Sequence, residues 1–258
     1  MLVIIPQAKE MDMAPVNIQE ATTLPVFQKE AEFLASLMRN LSVHEISEKM
    51  QISEQEATRI FEEFQQFDDL SVSPKPALFA YADDFYKTID PAKFTPADLH
   101  YGQMHLRILS PLYGVLRPLD LIKAYRMVFN LRLRDLGAPD VLEYWQDLLT
   151  QQLIKDAHEE GSEVLLLGLE ESLKAIEIKG LGAKSKVISI SFKDQRDDKW
   201  KEINEFSAPA RAELVKHILK SKIEKLDDLK TWSWKGYKLN TDLSTQEEWI
   251  YTRTTADE

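Results

Sequence analysis

The 258-residue chain contains no cysteine. That absence excludes disulfides, thiolate nucleophiles, iron–sulfur clusters and thiol peroxidase chemistry, so any redox role cannot use sulfur in that form. Long apolar runs are missing too: nothing approaches the roughly 20 apolar residues of a membrane-spanning helix. The one apolar run at the start, Leu2 to Ile5, ends at Pro6 without a basic leader. It is too short for a signal peptide, and the cytoplasm is the expected compartment. There is no P-loop, dinucleotide fingerprint or Gly-x-Ser-x-Gly elbow, and His44, His100, His105, His158 and His217 lack zinc-ligand spacing. No metal, cofactor or catalytic nucleophile is therefore expected. Positive charge is in short supply as well, with 32 basic against 43 acidic residues and a formal charge of -11. Such a balance favours solubility and opposes a general attraction to nucleic acid or anionic membrane, so any polyanion site must be local.

The acidity is concentrated in residues 1–100, where 17 acids face 8 bases, whereas residues 161–258 nearly balance at 18 acids and 17 bases. A hydrophobic content of 44% is enough for a sizeable core. No repeat, low-complexity tract or linker divides the chain. Leu2–Ile5 and Glu163–Leu169 read as buried strands, Ala77–Tyr81 and Lys186–Phe192 as further strands, and Gly236–Leu239 with Trp249–Thr252 as a hairpin around 240–245. Helical spacing covers most of Val26–Phe67, Val141–His158 and Arg211–Ile223. Ser42 with Glu45, Ser53 with Glu56 and Thr95 with Asp98 have the spacing of helix starts. The expected fold is a mixed α/β domain, with a central sheet flanked by helices.

Against this background the stretch His105–Arg134 stands out, with Arg107, Arg117, Lys123, Arg126, Arg132 and Arg134 opposed only by Asp120, and with Tyr113 and Tyr125 interleaved. Arginine beside aromatic rings suits a planar anion or a phosphate backbone. Gly114 and Pro118 punctuate two apolar runs and predict helix, tight connection, helix. If Pro118 opens a helix, its free N–H groups and Arg117 form an anion site. The same residues equally fit a structural pairing of Arg117 with Asp120.

Other candidates are weaker. Ser42–Phe64 has the outline of a helix-turn-helix, yet Glu54, Glu56, Glu62 and Glu63 would meet phosphates with carboxylates, so an ordinary solvated acidic helix pair fits better. His105 lies two residues before Arg107 and suits an acid or phosphate-donor role, or a packed core histidine. Glu170 and Glu171 follow the Val164–Leu169 strand, where they suit acid–base work or a helix N-terminal charge pair.

Leu-Ser-Pro-Leu-Tyr-Gly-Val-Leu-Arg-Pro-Leu-Asp-Leu-Ile-Lys-Ala-Tyr-Arg, Leu109–Arg126, resembles the signature of the bacterial peroxide stress protein YaaA family. The resemblance extends nearly end to end through Ala8-Lys9 with Asp12, Asp84 and Tyr86, Trp145 with Asp147, Glu171 and Lys174, Arg211, and Gly236-Tyr237. It implies one domain over residues 1–258, a helix-hairpin-helix-like element, a cationic cleft for duplex DNA, and hydroperoxide resistance through limiting iron-dependent Fenton damage. On that basis Lys9, Arg117, Arg126, Lys174 and Arg211 would supply the DNA- or anion-binding cations, Gly114 would permit close backbone approach, and His105 or Glu171 would serve any acid–base step.

Departures from the family pattern bear on the mechanism. Pro6-Gln7-Ala8-Lys9 stands where Ser-Pro-Ala-Lys is usual, Ala82-Asp83 where Lys-Gly is usual, and Ala208-Pro209 where two lysines are usual. Val128 and Asn130 replace a Glu and a Gly, and Leu166, Leu169 and Ser172 replace Asn, Ser and Tyr. Each lost phosphate contact lowers the salt slope of DNA binding by about 0.9, so weak binding is expected. Two alternatives stand beside the DNA reading: a binder or enzyme holding a nucleotide or phosphorylated small molecule on the same cations, and a scaffold whose acidic helices face a basic protein.

Overall fold

The computed structural model describes residues 1–168, 170–197 and 199–254. Its strands are β1 (Leu2–Pro6), β2 (Lys75–Pro76), β3 (Leu106–Ser110), β4 (Gly114–Leu116), β5 (Leu121–Ile122), β6 (Glu163–Leu166), β7 (Lys186–Arg196), β8 (Lys199–Lys201), β9 (Ser233–Trp234), β10 (Tyr237–Leu239) and β11 (Glu248–Arg253). The helices are α1 (Gln28–Arg39), α2 (Val43–Met50), α3 (Glu54–Gln65), α4 (Ala77–Ala80), α5 (Asp84–Ile89), α6 (Pro96–His105), α7 (Val141–Glu159), α8 (Glu170–Leu173), α9 (Ile178–Gly182) and α10 (Asn204–Ser221). One sheet in the order β4-β3-β1-β6-β7-β11-β10-β9 carries the fold, with β8 attached to β7. Its centre, β3-β1-β6-β7-β11, is parallel, and antiparallel strands close both sides. This is the mixed α/β sheet flanked by helices that the sequence leads one to expect.

Parallel strands covered on both faces need apolar side chains throughout. Leu2, Val3, Ile4 and Ile5 of β1 and Val164, Leu165 and Leu166 of β6 are buried. The strand predicted over Glu163–Leu169 is regular only to Leu166; the Leu167 N–H still donates to the Ile4 carbonyl at 2.8 Å, and Leu169 lies outside the described residues. Helix starts follow their sequence signals. Ser42 with Glu45 and Thr95 with Asp98 form complete capping boxes, and Ser53 caps α3. Thr95→Ala is expected to lower the unfolding free energy by about 1 kcal/mol, read from the urea midpoint.

Two expectations are overturned. Ala77–Tyr81 is a helical turn rather than a strand, closed by the Tyr81 N–H on the Ala77 carbonyl and held by the Leu78 N–H on the Pro118 carbonyl. More consequentially, the basic segment around Gly114 is a β-hairpin and not helix, connection, helix: β3 and β4 pair through Ile108–Leu116, Leu109–Val115 and Ser110–Gly114. All residues from Leu106 to Leu116 are buried, and a continuously buried strand shows no period that separates it from a buried helix. No helix begins at Pro118, which sits in a turn where the Asp120 carboxylate accepts the Arg117 backbone N–H at 2.7 Å. Short turns do join helices elsewhere, as between α2 and α3 through Gln51 at φ 54°.

Candidate functional site

Because β1, β3 and β6 run in parallel, their carboxyl ends open on one edge of the sheet, where α/β folds place ligands. The loop after β1 crosses this edge and is pinned there: the Asp12 N–H donates to the Ala80 carbonyl, the Ala82 N–H to the Glu10 carbonyl, and the Lys75 ammonium to the Asp12 carbonyl at 2.8 Å. Beneath it lies a buried polar network. Tyr125 donates to Gln7 Oε1 at 2.5 Å, leaving its oxygen to accept from Tyr81 and Ser110, each at 2.7 Å. The Gln7 amide then donates to the Met127 carbonyl at 3.1 Å, and the Tyr86 hydroxyl to the Pro6 carbonyl at 2.7 Å. Burial pushes the phenols of Tyr81, Tyr86 and Tyr125 upward from their usual range, so all three stay protonated at neutral pH. The network is a rigid hydrogen-bonding floor rather than a store of phenolate.

The predicted cations are distributed unevenly with respect to this edge. Lys9 is exposed on the crossing loop and has no ion pair among the described residues. Arg126 is at the same edge, close enough to feel the charge of Glu10, and its guanidinium is paired with Glu56 of α3. Lys174, just after α8, follows β6 to the same edge and pairs with Glu170 at 3.1 Å. Arg211 is buried in α10 against Glu202 at 3.2 Å and Asn204 at 3.3 Å.

Arg117 departs from the group. It follows Leu116, which pairs with Ile108, so it lies just past the end of β4, beside Arg107. There it lines a small hollow of about 210 Å³ with Arg107, Asp120 and Asp156. Its guanidinium has no salt-bridge partner among the described residues, whereas Arg107 is fully engaged by Asp156 at 2.5 Å.

Among the other basic residues of the segment, Lys123 and Arg134 also have local work. Lys123 donates to the Phe67 and Asp69 carbonyls at the end of α3, and Arg134 pairs with Asp140 and Glu143. Gly114 serves packing: at φ 69°, a Cβ placed there would lie 2.5 Å from the ring of Trp145, so its bare backbone makes room for an indole, not for a ligand.

Of the two acid–base candidates, only Glu171 of α8 follows a strand to this edge. His105 closes α6 at the opposite end of β3, a five-residue strand spanning about 16 Å, and is held by the Met1 carbonyl at 3.0 Å, Glu160 at 3.1 Å and the Tyr101 ring. Burial lowers its pKa, which makes it a packed, neutral histidine. Glu171 is exposed with no ion pair among the described residues.

The Gln7, Ser110 and Lys75 contributions escape sequence reasoning. Ser110 and Tyr125 do lie inside the signature segment, and that was the available signal. No helix among the described residues is long and apolar enough to cross a membrane, and no group of three or more metal-binding side chains occurs among them.

The family model described as peroxide stress protein YaaA matches residues 1–243. A UPF0246 protein of Bacteroides fragilis is 31% identical over 252 residues, covering 98% of each chain. One from Clostridium perfringens is 30% identical across 98% of this chain and 100% of its own length, and one from Saccharophagus degradans is 32% identical across 98% and 99%. The match over residues 1–243, with these relatives at about 30% identity across nearly the whole chain, shows that this protein belongs to the peroxide stress protein YaaA family.

Proposed function

We propose that this chain acts in the response to peroxide stress, limiting iron-dependent oxidative damage, with only a weak and strongly salt-sensitive hold on duplex DNA. The observation that carries this reading is the occupation of its cations: Arg126, Lys174 and Arg211 lie against Glu56, Glu170 and Glu202 respectively. A phosphate must displace a carboxylate from each of them, in a molecule whose formal charge is -11. Lys9 and Arg117 have no ion pair among the described residues, which supports about two phosphate contacts and a slope of log affinity against log salt near -1.8.

Titration of a labelled duplex over a salt series checks this. Arg117→Ala should remove about one unit of slope, and Glu56→Gln together with Glu202→Gln should tighten binding by freeing Arg126 and Arg211. Binding that stays tight at physiological salt would show that the carboxylates do not compete, and the proposal would fail. Survival of a deletion strain under hydroperoxide tests the peroxide-stress part separately.

A further inference from the structure

Far along the chain from the signature segment, α10 presents Glu213, Lys216, His217, Lys220 and Ser221 along one helical face. Opposite it runs the segment Asp228–Trp234, and between them is an open groove of about 560 Å³. That volume falls in the range of small-molecule sites. Its aromatic wall is held in place from behind: Trp232 packs edge-on against Phe192 and Tyr251, with ring centroids 5.9 Å and 5.5 Å away. Trp234 is half-buried in the groove with the Lys235 ammonium 4.8 Å from its ring centroid. Lys216 is tied to the Thr88 carbonyl and Glu213. Lys220 and Asp228, by contrast, both exposed, have neither an ion pair nor a side-chain hydrogen bond among the described residues. Burial lowers the pKa of His217, so at neutral pH it adds hydrogen-bonding capacity without charge.

We propose that this groove binds a guanine nucleotide, with the base against Trp234, Asp228 on the base edge and Lys220 on the phosphate. A flat ring is matched by a tryptophan wall, worth a substantial part of the affinity for any base. The free carboxylate selects among bases because it can only accept. Guanine offers imino and amino N–H groups side by side, whereas adenine and cytosine place a ring-nitrogen acceptor beside their amino group, and uracil flanks its N–H with carbonyls. A phosphate needs a cation not already spent, and Lys220 is that cation.

Calorimetric titration of the full chain with GMP, AMP, guanosine and a 5′-phosphorylated single strand beginning with guanine provides the test. GMP should bind, with AMP and guanosine each weaker by about tenfold, the worth of one charge-assisted hydrogen bond. Lys220→Glu should weaken GMP by at least that factor, and Asp228→Asn should abolish the preference for GMP over AMP. Both positions are exposed, so thermal unfolding of the variants should match the parent. Binding of the single strand as tightly as GMP assigns the site to strand ends, and weaker binding assigns it to the free nucleotide. Arg117→Ala should leave GMP binding unchanged, which separates this site from any DNA contact. Absence of heat with GMP up to about 1 mM, equal affinity for GMP and AMP, or indifference to Lys220→Glu overturns the proposal.

Discussion

Gly114→Ala is expected to destabilise the protein by about 2–6 kcal/mol, combining the strain of a side chain in the left-handed region with the overpacking of a filled core. Gly114 has φ 69°, and an added Cβ would stand 2.5, 2.8 and 2.9 Å from three atoms of the Trp145 ring. The ring cannot move aside cheaply: Trp145 is fully buried, its indole N–H donates to the Pro111 carbonyl at 2.8 Å, and Phe27 and Tyr144 pack on it. A double-mutant cycle with Trp145→Ala separates the two parts. With the indole gone, Gly114→Ala should cost only the backbone strain, about 1–3 kcal/mol. An equal cost in both backgrounds would mean that the glycine is there for its dihedral angle alone. The consequence for function is direct, since a glycine filled from behind by tryptophan cannot also seat a phosphate backbone.

That example shows how far the sequence could be read. Local signals carried well: Thr95 with Asp98 and Ser42 with Glu45 form the boxes their spacing implies, and Val141 opens a helix that ends one residue beyond His158. The alternation in Lys186–Phe192 belongs to a central strand, β7, which continues to Arg196. The hairpin over 236–252 is present as β10 and β11. The basic hairpin was misread because Leu106–Leu116 is buried on both sides, which erases the period that would distinguish strand from helix.

The site was harder still. Charge sign is visible along a sequence, but whether a cation is free depends on carboxylates contributed from elsewhere in the fold, as Glu56 is for Arg126. Departures from the family pattern became legible only in three dimensions. Gln7, in place of the usual proline, ties Tyr125 to the Met127 carbonyl, and Asp83, in place of the usual glycine, caps α5 through the Tyr86 N–H at 3.2 Å. Both side chains join the structural framework at the sheet's carboxyl edge.

Asp156→Ala should cost about 3–5 kcal/mol, because it strands a buried guanidinium. Arg107 and Asp156 are 3% and 2% exposed, so neither can turn to water. Removing the arginine as well cancels the charge imbalance but not the whole cost. Its Nη1 donates to the carbonyls of Gln103, Met104 and Leu106, where α6 ends and β3 begins without a loop. Replacing both residues by apolar ones of similar volume therefore leaves unmet helix-end carbonyls and should still cost about 1–3 kcal/mol. Denaturant titration of the two single variants and the double variant gives these values, and the parent's share from the pair should not change with ionic strength, since a buried pair is little screened. Arg117→Ala, only one strand away, should be close to neutral because its guanidinium has no salt-bridge partner among the described residues to abandon. If Asp156→Ala and Arg117→Ala proved equally mild, Arg107 would have to reach solvent in the folded protein. It would then rejoin Lys9 and Arg117 as a cation available to an anionic ligand.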